Sequence, residues 1–302
     1  MKSKIRLEVL PLYRCNQKCS FCMFKNEHNN ENTLSLAWLD ENINQLKFYF
    51  DVVEIRLSGG EVSLLSELYF ELLYHLCKSI CKKISVETNL YKLHKSIVNY
   101  FDVITVGYNF NEYNVIKKEV FENIKALVDS GKIINIKTLD ISCFDDCDLV
   151  INRLNSLRIK SWEIIPYQKS LNNCIKECDY SFFENVISKY LRLSNKMNFA
   201  FQNKLQLDGV LDLDNYNTLT VYITPNNKFA IQNYDKKDNF SLLEVENIQE
   251  LVKKCKEIEI FKDKLCEKCT SKLKCMANRF LNLNYTGLSC CGCNRLINAY
   301  KK

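Results

Sequence analysis

The sequence predicts an α/β protein: a partial (β/α)6 TIM-like barrel with a small C-terminal α+β cysteine-rich cap. Three observations carry this. The first two thirds alternate short β-rich runs with amphipathic helical stretches, the signature of βα units and a parallel sheet. The alternation runs six times, short of the eight a closed barrel takes, so the barrel is open and its functional loops follow the C-terminal ends of the strands. From about Leu219 the texture changes to a hairpin, a helix and a cysteine-dense tail.

The expected strands are Ile5 to Leu10, Val52 to Leu57, Lys83 to Glu87, Val103 to Val106, Ile133 to Lys137 and Trp162 to Ile165. Between and after them the apolar period lengthens, which predicts helices over Thr33 to Phe50, Ser63 to Ser79, Leu93 to Tyr100, Asn114 to Ser130, Asp146 to Leu157 and Ser181 to Leu193. Gly131 is placed to close the fourth helix as a C-cap. Residues 200 to 218 have no clear period and read as a connection. Thr220 to Thr224 and Phe229 to Ile231 flank Pro225-Asn226-Asn227-Lys228, a hairpin with a turn-rich loop. A helix from Asn247 to Phe261 follows. The expected division is a barrel over 1–200, a connection over 201–218 and a cysteine-rich domain over 219–302.

Composition narrows the function classes. The chain has 302 residues, 47% hydrophobic and 26% charged, with only 7 Gly and 3 Pro, which excludes disordered, collagenous and linker-rich chains. Charges at Lys2, Lys4, Arg6 and Glu8 exclude a signal peptide. No uncharged apolar run approaches the roughly 18 residues of a membrane span. The expected location is cytoplasmic, with no membrane partner. The 42 Lys plus Arg exceed the 36 Asp plus Glu by 6, and that excess forms no basic stripe, so no nucleic-acid partner is expected. Sixteen Cys in a reducing compartment point to metal or redox chemistry rather than disulfides.

The first cysteine group follows the first strand: Cys15-Asn16-Gln17-Lys18-Cys19-Ser20-Phe21-Cys22. Three thiolates within eight residues wrap a compact metal centre, and without a local fourth ligand one position stays open. The bland reading, three buried thiols, fits a loop poorly. At the end of the second strand stands Leu57-Ser58-Gly59-Gly60-Glu61. Alone this is a tight turn. The Cys-x3-Cys-x2-Cys triplet with Phe21 before its third Cys, followed by Gly-Gly-Glu on the next βα unit, resembles the radical S-adenosylmethionine (SAM) enzymes. That family's usual Pro after Glu is Val62 here.

The resemblance implies that Cys15, Cys19 and Cys22 hold a [4Fe–4S] cluster whose fourth iron chelates SAM. It implies that Gly59 and Gly60 bring backbone close to the methionine ammonium, which Glu61 then meets. One-electron reduction of SAM would yield a 5′-deoxyadenosyl radical that removes hydrogen from a substrate. Further SAM contacts carried over are Phe21, Thr88 and Asn89, from a Thr-Asn-Gly motif whose Gly is Leu90 here. Tyr167 of Ile165-Pro166-Tyr167 would pack on adenine. Tyr108 and Asn109 stand where the family places a polar residue near the ribose. An ordinary strand-end role is at least as good a reading for each.

The second group is Cys266-Glu267-Lys268-Cys269 with Cys275, then Cys290, Cys291 and Cys293 after Gly287. Spacing alone leaves zinc and iron–sulfur open. Beside a radical SAM core it resembles a C-terminal SPASM or twitch extension, which binds auxiliary [4Fe–4S] clusters. The hairpin carries no Cys and Arg279 stands where a further ligand would be, so the resemblance implies one auxiliary cluster, held by Cys266, Cys269, Cys275 and Cys291. Cys291 is preferred because Arg295 follows it as in the family's closing motif; Cys290 and Cys293 are the alternates.

Cys77 and Cys81 share a helical face and read as core, while Cys174 and Cys178 lie in a loop at the barrel mouth as spare redox or ligand residues. His28, His75 and His94 show no ligand spacing, and His28 reads as a solvated loop residue. The function this implies is hydrogen abstraction from a ribosomally made peptide or protein being matured. The expected partners are SAM, the substrate and an external one-electron donor of flavodoxin or ferredoxin type; the core begins at Ile5, leaving no room for the winged-helix domain of many peptide maturases, which either lowers the peptide reading or implies a separate leader-peptide recognition protein. The alternatives are dehydrogenation of a small molecule such as an aminoglycoside precursor, and a non-enzymatic module with structural metals.

Overall fold

The computed structural model describes residues 2–19, 21–108, 117–139, 146–165, 180–208, 218–232 and 241–266, with side chains described from 182 in the fifth segment and up to 258 in the last. Six parallel strands form its centre: β1 (Ser3–Val9), β2 (Phe50–Leu57), β3 (Ile84–Thr88), β4 (Val103–Gly107), β5 (Ile133–Leu139) and β6 (Ser161–Ile165). Each is followed by a helix: α1 (Leu36–Tyr49), α2 (Glu67–Lys78), α3 (Lys95–Tyr100), α4 (Lys118–Asp129), α5 (Cys147–Ser156) and α6 (Tyr180–Arg192). The alternation is that of a partial TIM barrel.

The helices pack where their apolar residues recur one turn apart. Leu39, Ile43 and Leu46 of α1, and Val120, Ile124 and Leu127 of α4, are buried against the sheet. Alternate strand residues meet them: Ile5, Leu7 and Val9 of β1, and Ile55 and Leu57 of β2, are at most 1% exposed. Side-chain caps start the helices. Ser35, Ser66 and Asp146 each accept the backbone N–H three residues on, at 3.2, 3.3 and 2.8 Å. Gly131 (φ +83°) ends α4 as expected, with its N–H on Val128 O at 2.9 Å and the Lys132 N–H on Leu127 O at 3.0 Å, a Schellman closure.

The structure adds elements to the expected order. Residues 200–208 hold a short strand, β7 (Ala200–Phe201), parallel to β6, and a helix, α7 (Gln202–Asp208). A two-residue strand is too short to display a period. The hairpin forms as expected, with β8 (Leu219–Thr224) and β9 (Lys228–Gln232) joined by a turn in which Asn227 takes φ +57°. β10 (Leu242–Val245) pairs with β9, and α8 (Ile248–Cys266) follows.

The hairpin does not stand apart. β8 lies parallel to β1, Ile5 opposite Leu219 through Val9 opposite Ile223, so one sheet runs β10-β9-β8-β1-β2-β3-β4-β5-β6-β7. Asn227 Oδ1 accepts the Ser35 N–H at 2.7 Å, tying the hairpin turn to the start of α1.

Candidate functional site

The C-terminal ends of β1, β2 and β3 are stitched together beyond the regular strands. The Ser58 N–H donates to Val9 O at 3.0 Å, Gly60 to Leu12 O at 2.8 Å and Glu61 to Arg14 O at 2.9 Å. Gly59-Gly60-Glu61 thus runs beside the chain that leads into Cys15. A Cβ on Gly59 (φ +118°) would stand 2.6 Å from Leu12 O, and one on Gly60 would collide with Arg14 O. The glycines therefore answer a demand that precedes any ligand: this chain's own backbone fills the space.

Glu61 is 1% exposed. Its Oε1 accepts from Thr88 Oγ1 at 2.6 Å and from the Ser63 N–H at 3.0 Å, and its Oε2 accepts the Asn89 N–H at 2.8 Å. The carboxylate straps the β2 turn to the end of β3 and is engaged by protein donors on both oxygens. Asn89 carries the strap on: Nδ2 donates to Asn16 Oδ1 at 2.8 Å and lies 3.9 Å from Cys15 Sγ. Asn89 thus stands beside the cysteine loop, with Thr88 behind it on Glu61, and Asn16 is a member the spacing argument missed.

The cysteine loop is half-buried. The Gln17 N–H points at Cys15 Sγ and the Phe24 N–H at Cys22 Sγ, both at 3.4 Å, while Cys19 Sγ donates to Gln17 Oε1 at 3.3 Å. Burial raises all three thiols, Cys22 to about 11; Glu61 adds to the effect on Cys15, Cys15 adds to it on Cys19, and Cys19 and Cys15 add to it on Cys22. Lys117, 4.5 Å above the Tyr91 ring, pulls Cys19 the other way without prevailing. Three thiolates here require a compensating cation, which bound metal supplies as it displaces the protons. Among the described residues no three His, Cys, Asp or Glu side chains close on a point as a single ion requires. A four-iron cluster takes one thiolate per iron, and so spreads its ligands.

His28 is not a solvated loop residue. The turn Lys25–Glu27 folds it back until Nε2 lies 3.2 Å from Cys22 Sγ. His94 caps α3, with Nδ1 accepting the Ser96 N–H at 3.2 Å, and His75 is an exposed helix residue. Cys77, Cys81 and Cys255 are core, as expected for the first two. Phe21 is half-buried on the loop. Tyr108 is buried, its hydroxyl accepting the Lys117 N–H at 3.1 Å. Asn109, Pro166, Tyr167, Cys174, Cys178, Cys269, Cys275, Cys290, Cys291 and Cys293 lie outside the described residues, as does the Cys266 side chain at the end of α8.

The inner faces of the strands are charged. Arg6 pairs with Glu54 at 3.3 Å; Arg56 lies 3.6 Å from Glu8 and 3.8 Å from Glu87; Lys137 donates to Glu87 at 2.7 Å, reaching across β4 where Gly107 has no side chain. Ser58 Oγ donates to Glu8 at 2.6 Å, so the chain of contacts ends at the Gly-Gly turn. Burial acts to raise the Glu87 carboxyl, but Lys137 and Arg56 outweigh it and hold the group below the usual carboxylate range. A barrel interior is ordinarily filled by branched apolar side chains. The signal for this one was the alternation of Arg6 and Glu8, Glu54 and Arg56, Asn135 and Lys137 with apolar residues, where fully buried parallel strands read as continuous apolar runs.

Residues 9–143 match the model of the Radical SAM superfamily, the stretch that holds the cysteine loop, the glycine turn and β2 to β5. That stretch is thus similar to the Radical SAM superfamily, whose members use SAM and a [4Fe–4S] cluster. No curated protein matches the sequence. Among solved structures it resembles SuiB of Streptococcus suis bound to its precursor peptide SuiA, at 15% identity and a TM-score of 0.59, over 76% of this chain and 59% of that one. SuiB bound to S-adenosylmethionine aligns over 100% of this chain and 75% of that one, at 15% identity and a TM-score of 0.65. The structure of anSMEcpe with bound AdoMet and Cp18Cys peptide aligns over 99% of each chain, at 14% identity and a TM-score of 0.64. At these identities the likeness is one of fold. The chain spans about three fifths of SuiB in the peptide-bound structure. No helix among the described residues is long and apolar enough to cross a membrane.

Proposed function

We propose that the chain is a radical SAM enzyme that matures a ribosomally made peptide or protein, with Cys15, Cys19 and Cys22 as ligands of the cluster that binds SAM. The observation that carries the reading is the stitching of Gly59-Gly60-Glu61 to the chain entering Cys15, inside the stretch that matches the superfamily model. When bound, the cluster and SAM supply a 5′-deoxyadenosyl radical for hydrogen abstraction. The protein's own residues would hold that centre in place: Glu61 and Asn89 brace the loop, and sheet-edge carbonyls with Glu61 would meet the methionine ammonium. The charged inner face from Glu8 to Lys137 lies below it and suits a polar substrate group. The peptide reading draws on SuiB with its precursor peptide and anSMEcpe with Cp18Cys; dehydrogenation of a small molecule is the alternative.

In this reading Cys266, Cys269, Cys275 and one of Cys291, Cys290 and Cys293 hold an auxiliary cluster that carries electrons, and a flavodoxin- or ferredoxin-type protein supplies the first one.

The test is anaerobic reconstitution followed by assay of 5′-deoxyadenosine. The full chain is expected to bind about eight irons, two four-iron clusters. Replacing Cys15, Cys19 and Cys22 together by Ala is expected to halve the iron and abolish 5′-deoxyadenosine. Continued production by that variant would overturn the assignment.

A further inference from the structure

Resting on the reading that Cys15, Cys19 and Cys22 bind the cluster, we infer that His28 is a positioning residue whose ring N–H, donated to Cys22 Sγ, raises the reduction potential of that cluster. Nothing in the Cys-x3-Cys-x2-Cys spacing calls for a histidine. The fold brings it there: the Lys25 N–H bonds to Cys22 O at 3.3 Å and the Glu27 N–H to Phe24 O at 2.8 Å, winding one tight turn that returns position 28 over position 22. His28 Nε2 then lies 3.2 Å from the sulfur.

The three sulfurs are unequal in consequence. Cys15 receives the Gln17 N–H at 3.4 Å and, more distantly at 3.9 Å, the Asn89 Nδ2; Cys22 receives the Phe24 N–H at 3.4 Å. Cys22 has the imidazole as well. A hydrogen bond donated to a ligating thiolate withdraws charge from the metal. The reduced cluster is one unit more negative than the oxidised one, so the donor favours reduction. The electron comes from the external one-electron donor and stays on the cluster until SAM receives it, and His28 changes neither count.

The experiment is a redox titration of the reconstituted full chain, followed by electron paramagnetic resonance on the signal that changes when SAM is added, which separates this cluster from any other. His28→Leu is expected to keep its iron and move the midpoint to lower potential, and to lower the fraction reduced at a fixed donor poise. His28→Gln, which retains an N–H donor, is expected to return the midpoint toward the starting value. His28→Phe serves as the second non-donating variant if the leucine form does not fold. An unchanged midpoint in both non-donating variants overturns the inference. So does loss of the SAM-responsive cluster from folded protein, which would make His28 a ligand. A starting protein with no SAM-responsive signal would instead overturn the cluster assignment itself.

Discussion

Glu61 holds three donors at once, from Ser63, Thr88 and Asn89, in a space almost closed to solvent. Its place after two glycines was legible in the sequence, but its partners were not, because two of them arrive from β3, 27 and 28 residues away. The structure shows it as a strap between the β2 turn and the end of β3. Glu61→Gln puts an amide N–H₂ where one of these donors now finds an acceptor. The expected cost is about 1–3 kcal/mol for the donor left unmade, read by urea denaturation. Weaker iron retention is expected alongside, since Asn89 then loses its hold beside Cys15. The ion pairs of the inner face were hidden for the same reason: Glu87 and Lys137 meet across 50 residues of sequence.

The elements were legible wherever a period had room to repeat. All six central strands and the helices between them fall within a few residues of their expected bounds, because burial on one face imposes the pattern on the sequence. β7 and β10, at two and four residues, show no period of their own and exist through pairing with β6 and β9. The end of α4 was legible from one residue, since an L side chain resists the φ of +83° that Gly131 adopts. No atom lies within 4 Å of the Cβ that Ala would add there, so the penalty is purely conformational. Gly131→Ala is expected to destabilise the protein by about 1 kcal/mol, seen as a shifted denaturation midpoint with an unchanged slope.

For the molecule as a whole, the barrel and the C-terminal segment share a sheet. The hairpin could be read from Pro225-Asn226-Asn227, yet its destination, the open edge of β1, depends on pairing across more than 200 residues and left no local trace. A chain cut after residue 218 would expose that edge as a row of unpaired backbone groups beside apolar side chains. Such a fragment is expected to aggregate or dimerise where the full chain does not, measured by size-exclusion chromatography and light scattering. A monomeric, folded fragment would mean that the barrel needs nothing from the hairpin.

The pairing of β8 with β1 also sets a timetable. β1 has one neighbour, β2, within the next fifty residues; its other neighbour is not synthesised until residues 219 to 224. Because the loop with Cys15, Cys19 and Cys22 hangs directly from β1, the thiols stand on a half-finished support until residues 219 to 224 have been made. Closing so distant a contact is slow relative to local helix formation. In the proposed reading, iron that arrived before that closure would meet a loop not yet braced on both sides, so the pairing of β8 with β1 is the step that readies the loop.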